Sequence, residues 1–238
     1  SITPGTYALS LTTAAAAAVG TGLVGGSFEA GDFTGWVLSE PGDAYYGTWG
    51  IAVNGQTINS GDVTYDYADN TMSQPQPSPG LPITYTATDG DKLAYQLQSG
   101  PQQHRMWQDI DLGSNATTLS WDMWYENHAG GFSSGQFIAV HIRDLSDTIL
   151  DTLFITQQGV DEQSTQMMKH FTADVSAYAG QTVRIDVEMN VQNYFFDAAF
   201  DNFVLDGQTG NAQGTQGTIQ VQAPGGASIE SASYEYTS

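Results

Sequence analysis

The chain contains no cysteine, and basic residues are scarce: Lys and Arg together number 5 in 238 residues. The first absence excludes disulfides, thiolate metal centres and cysteine nucleophiles. The second is set against 26 acidic residues and a net charge of −21, which repel nucleic acid and anionic lipid. Charged residues of either sign make up 13%, so the remaining polar surface falls to Gln, Asn, Ser, Thr and Gly. A membrane span of roughly 20 strongly apolar residues is also missing. The stretch from Tyr7 to Val24 comes nearest, but Ser, Thr and Gly interrupt it. No basic n-region precedes it, so a processed end is expected here rather than an intact signal peptide. His104, His128, His141 and His170 form no close-spaced metal motif. A G-x-S-x-G elbow and a phosphate-binding glycine loop are absent too, and no enzyme is expected. Helical patterning is poor. The alanine run at 14–18 is too short to nucleate a helix alone, and QQGVDEQSTQMMKHF could hold one short turn.

What is present is apolar alternation. Hydrophobic residues reach 40% and aromatics 11%, enough for a sizeable core. In TVRIDVEMNV, Val183, Ile185, Val187, Met189 and Val191 fall on one face, opposite Arg184, Asp186, Glu188 and Asn190. In FIAVHIRDL, Ile138, Val140 and Ile142 lie opposite His141 and Arg143. LSWDMWYE sets Leu119, Trp121, Met123 and Tyr125 against Asp122, Trp124 and Glu126, and KLAYQLQ groups Leu93, Tyr95 and Leu97. Period-two runs separated by Gly, Asp, Asn and Pro predict an all-β sandwich with polar outer faces. Three zones follow: an uncharged arm at 1–26, the alternating body at 27–206, and a Gly/Gln-rich extension with short strands at 207–238.

The body opens GSFEAGDFTGW and closes DVSAYAGQTVRIDVEMNVQNYFFDAAFDNFVL. These bookends resemble those of secreted galactose-binding-like jelly rolls, which include carbohydrate-binding modules and MAM-like domains. The resemblance implies a jelly-roll β-sandwich, an extracellular location and, in many members, a structural calcium joining the first and last strands. By resemblance Glu29 and Asp201 would supply carboxylates, the Gly90-Asp91-Lys92 turn a carbonyl, and Asp43 a further ligand. The alternative is that these are ordinary strand-end acids. Trp124, His141, Arg143, Asp186 and Glu188 lie on polar strand faces and would form one glycan-binding surface if their strands were neighbours. Against this, the arginines could simply pair with acids, and a loop or another subunit could cover Trp124. Asn115-Ala116-Thr117 is a glycosylation sequon.

The arm raises a different expectation. The first formal charge is Glu29. Before it, Tyr7, Leu9 and Leu11 alternate like a strand, with Ile2, Val19, Leu23 and Val24 as further apolar anchors. Packed on its own domain, such an arm would add an edge strand; inserted into a groove of the next copy, it would build a head-to-tail homopolymer. This resembles donor-strand extracellular fibres in plan. Two functional expectations therefore stand: a non-enzymatic filament subunit, or a self-contained secreted module that binds polysaccharide.

Overall fold

The structure, a computed structural model, describes residues 22–39, 49–59, 82–207, 216–222 and 228–235. Short strands come first: β1 (Val37–Ser39), β2 (Gly50–Val53), β3 (Thr57–Asn59) and β4 (Pro82–Thr84). The long strands follow: β5 (Lys92–Ser99), β6 (Gln102–Asp111), β7 (Thr118–Asn127), β8 (Phe137–Arg143), β9 (Ile149–Ile155), β10 (Lys169–Asp174), β11 (Thr182–Val191) and β12 (Phe195–Leu205). β13 (Gln216–Gln222) and β14 (Ser228–Glu235) pair with each other. One 3₁₀ turn, Ser176–Tyr178, is the sole helical element among the described residues. The long strands, with β1 and β2 at one edge of each sheet, form two five-stranded antiparallel sheets, ordered β1-β6-β11-β8-β9 and β10-β7-β12-β5-β2. Successive strands from β5 to β8 alternate between the sheets, as do β9 to β12, which is the jelly-roll winding that the sequence predicts. The QQGVDEQSTQMMKHF stretch holds turns and the start of β10, with no helix.

The alternation decides which side chains meet between the sheets. Ile185, Val187 and Met189 of β11, Ile138, Val140 and Ile142 of β8, and Met106 and Ile110 of β6 face Trp121, Met123, Phe196 and Phe200 across the core. Fully burying each such side chain contributes about 1.5–3 kcal/mol. Trp121 is the centre of an aromatic stack, with Phe171 at 5.7 Å on one side and Phe203 at 6.3 Å on the other. β6 departs from clean alternation because His104 and Gln108 also point inward. His104 bonds Gln98 at 2.9 Å, and burial pushes its pKa down to about 4, so it sits neutral in the core.

Gln108 corrects one expectation about the arm. Its amide accepts from the Val24 N–H at 2.7 Å and donates to the Val24 carbonyl at 2.8 Å, taking the place of a strand neighbour. Leu23 is buried in the main core of its own chain. The Gly26 carbonyl accepts the Phe203 N–H at 2.9 Å, and a Cβ on Gly26 would meet the Phe203 carbonyl oxygen at 2.3 Å. Leu23 is thus part of the sandwich rather than an anchor free for a neighbour, while the Val24 backbone is tied to β6 and its side chain stays 48% exposed. The packed body begins before residue 27, because this segment closes the end of the core over Phe203. Ile2, Tyr7, Leu9, Leu11 and Val19 lie outside the described residues.

Removing the centre of the stack leaves a large cavity. Trp121→Ala is expected to lower the unfolding free energy by about 3–5 kcal/mol in guanidinium titrations. Val160→Ala, at a position 74% exposed, should change it by less than about 0.5 kcal/mol.

Candidate functional site

β6, β11, β8 and β9 are consecutive neighbours, so their outward side chains form one surface. The register gives rows running across the strands. One row is Trp107, Asp186, His141 and Thr152; the next along the strands is Asp109, Arg184 and Arg143; on the other side stand Arg105, Glu188 and Ala139. Four of the five residues expected to share a glycan surface, His141, Arg143, Asp186 and Glu188, are brought together here.

Trp124 is the exception and a correction. It sits on β7, in the other sheet, facing outward on the opposite side of the sandwich. Polar-face alternation identified its side of a strand but not the sheet to which that strand belongs. Its place beside the arginines is taken by Trp107, with Arg105, both on β6.

All three arginines of the chain lie on this one face. Asp186, fully buried, accepts from the Nε of Arg105 at 2.9 Å and from the Nε of Arg143 at 2.6 Å. Glu188 accepts from Arg143 Nη2 at 2.6 Å and from the Gln103 amide at 2.7 Å. Arg143 and Arg184 are direct cross-strand partners, an arrangement that repels unless acids stand between. Asp147, in the tight turn between β8 and β9, supplies that charge. It accepts both Nη groups of Arg105 and Nη1 of Arg184, while its carbonyl accepts Nη1 of Arg143. The Arg105 hydrogen bonds hold the Asp147 carboxyl down to about 2. Arg184 is completed by Asp109. The guanidiniums of Arg105 and Arg184 lie over the half-buried Trp107 ring at 5.2 and 5.1 Å from its centroid. Desolvation lowers the pKa of His141, and its Nδ1 bonds the Thr152 hydroxyl at 3.0 Å. The face therefore carries four carboxylates against three guanidiniums, nearly balanced and fixed in position. Chemically it offers hydrogen-bonding groups around an indole.

The acids expected to hold calcium are elsewhere, at the turn before β5. Glu29 Oε1 accepts the N–H groups of Asp91 and Lys92 at 2.8 and 2.6 Å, and the Lys92 ammonium donates to the Glu29 carbonyl at 2.7 Å. Gly90 makes this possible: a Cβ there would meet the Glu29 carboxyl at 2.3 Å. Asp201 accepts the N–H groups of Thr88, Asp89 and Asn202 at 2.7–3.0 Å. Calcium wants six to eight converging oxygens. Here N–H groups meet Glu29 Oε1 and both Asp201 oxygens, and an ammonium meets the Glu29 carbonyl, so these oxygens are engaged by the chain's own donors. No group of three or more candidate metal ligands occurs among the described residues, and Asp43 lies outside them.

No protein-family model and no curated protein matches the chain. Solved structures do resemble it. TmCBM61, solved in complex with beta-1,4-galactotriose, is 15% identical, with 77% of this chain and 95% of that one covered and a TM-score of 0.41. The K1 cleaved adhesin domain of Lys-gingipain from Porphyromonas gingivalis W83 is 12% identical over 76% of this chain and 95% of that one, with a TM-score of 0.45. The C-terminal family 22 carbohydrate-binding module of Clostridium thermocellum Xyn10B is 12% identical over 78% and 93%, with a TM-score of 0.39. These neighbours are of the kind that the sequence resemblance names, and at these values they speak to the general course of the chain alone.

On the opposite sheet, Asp197 of β12 stands directly across from Glu126 of β7. Burial raises the Asp197 carboxyl from its ordinary 3.8 to about 6, and His128, 3.6 Å away, is raised in turn by this carboxylate.

Two measurements follow from these groups. Asp186→Ala leaves Arg105 and Arg143 without their shared partner, and urea titration should show a loss of about 3–5 kcal/mol. Asp109→Ala, at a side chain 44% exposed, should cost less than about 1 kcal/mol. For Asp197, the folded chain keeps a proton that the unfolded chain releases near pH 4, so stability falls as pH rises from about 4 to 6. The raised His128 acts in the same direction, its contribution being lost as pH rises through its folded pKa. Asp197→Asn should flatten that fall in urea midpoints taken across this range.

Proposed function

We propose that the chain is a carbohydrate-binding module whose ligand face is the outer surface of the β1-β6-β11-β8-β9 sheet, around Trp107. The observation that carries this is the gathering of every arginine in a chain of net charge −21 onto one face, about a single half-buried indole. Three considerations select the ligand. The surrounding acidity repels polyanions. The face is too polar to suit an apolar protein partner. A neutral sugar offers hydroxyls that donate to carboxylates and accept from guanidiniums, and C–H groups that pack on indole. The paired acids under the arginines hold these groups in place before the sugar arrives, which reduces the entropy lost on binding. Binding without catalysis is part of this reading, as is a location outside the cell, where polysaccharide is met. The residues described give no support to the head-to-tail polymer: Leu23 packs in its own chain, and Tyr7, Leu9 and Leu11 lie outside them.

Affinity electrophoresis against neutral polysaccharides tests the proposal. At least one galactan, glucan or mannan should retard the protein. Trp107→Ala should weaken that binding at least about tenfold, as expected for loss of a central aromatic contact. No retardation by any neutral polysaccharide, or equal retardation of the Trp107 variant, would overturn it.

A further inference from the structure

The outer face of the β10-β7-β12-β5-β2 sheet carries a recess of about 310 Å³, on the far side of the sandwich from the arginines. Trp124 and Ala199 form its floor. Thr84, Tyr85 and Thr86, where the β3–β4 pair ends, make one wall, and Gln166, Met167 and Met168 make the other. The Trp124 and Tyr85 rings meet nearly at right angles, 87°, with centroids 6.1 Å apart. Tyr95 backs Tyr85 at 5.1 Å. The Tyr85 phenol oxygen is buried without a hydrogen-bond partner.

No Lys or Arg lines the recess, whereas carboxylates stand close behind it. Thr88, one of the lining residues, donates its hydroxyl to Asp122 Oδ2 at 2.6 Å and its N–H to Asp201 Oδ2 at 2.7 Å. Asp122 and Asp201 are buried and directly opposite on β7 and β12. The other Asp122 oxygen meets His170 Nδ1 at 2.6 Å. The lining thus sets Trp124, Tyr85, Met167 and Met168 beside three threonines and Gln166, and negative charge lies one residue deeper without reaching the cavity.

This combination discriminates among ligands. A primary ammonium is best held by several converging acceptors that include a carboxylate, and no carboxylate lines these walls. A pyranose needs several free polar groups, but the Thr88 hydroxyl is given to Asp122 and the Thr84 hydroxyl is shared with Thr57 at 2.8 Å, which leaves Thr86 and the Gln166 amide. A cation whose charge is spread over methyl groups needs neither. It is held by ring faces, polarisable sulfur and a negative field. We infer that this recess binds a quaternary ammonium or polymethylated amine head group, packed against Trp124 and Tyr85, independently of the sugar face.

The test is an indole N–H titration of the full chain, with the Trp124 signal assigned by Trp124→Phe. Choline should shift that signal saturably. It should bind at least about tenfold more tightly than 3,3-dimethylbutan-1-ol, its neutral isostere. Asp122→Asn should weaken choline at least about threefold and leave the isostere unchanged, because the carboxylate acts through its field. Thr86→Tyr, at an exposed rim position, should block choline while leaving the circular dichroism spectrum unaltered. Equal affinity for choline and its isostere would overturn the inference, since the recess would then be merely apolar. So would a Trp124 shift produced by galactose but not by choline, or no shift with either amine or isostere.

Discussion

Asp186 is the residue on which the proposed ligand face depends. A carboxylate removed from water has a large desolvation cost, and it is tolerable here because two guanidiniums meet it at 2.6 and 2.9 Å. Those bonds determine where Arg105 and Arg143 point. Arg105 and Arg143 in turn reach Asp147, which binds Arg184, and Arg105 and Arg184 lie over Trp107. One buried acid on the central strand of the sheet therefore orders a chain of contacts that extends to solvent. The apolar alternation of β11 makes this possible: Ile185 and Val187 pin the strand to the core, and Asp186 between them can face only outward.

The two sheets use their outer faces differently. One carries paired charges around an indole, nearly balanced and locked in place. The other carries aromatic rings and methionines over buried carboxylates, partly roofed by the β3–β4 pair. Both are consistent with an acidic chain that spends its few cations where they position other groups. Three of them stand on the first face, and Lys92 secures the turn beside Glu29.

Much of this was legible in the residues. The bounds of β11 coincide with TVRIDVEMNV, and the strands carrying FIAVHIR and LSWDMWYE turn their apolar faces inward as expected; in KLAYQLQ, Leu93, Tyr95 and Leu97 face outward beside the β3–β4 pair instead, and Ala94, Gln96 and Gln98 face the core. β6 was not legible. Its inward residues alternate between Met or Ile and His or Gln, so its buried face looks polar, and Arg105 and Trp107 passed unnoticed with it. The signal that could have found it is the alternation of Met106 and Ile110 with Arg105, Trp107 and Asp109, read with His104 and Gln108 as core residues. Sheet membership was also beyond reach. Period two separates the two faces of a strand, but which strands are neighbours is decided by long-range pairing, and that separated Trp124 from His141, Arg143, Asp186 and Glu188. The calcium expectation came from resemblance. It could not anticipate that backbone N–H groups would meet Glu29 Oε1 and both oxygens of Asp201.

A chain with three arginines gives three guanidinium Nε–H signals, and all three report on the proposed ligand face. The most direct measurement is a titration of these signals, together with the indole signal of Trp107, against fragments of neutral galactan, glucan and mannan. The account predicts that one class of fragment moves Arg105, Arg184 and Trp107 together and saturably, with the Trp124 signal still. Fragments that leave all three arginines unmoved, or that move Trp124 alone, would contradict it.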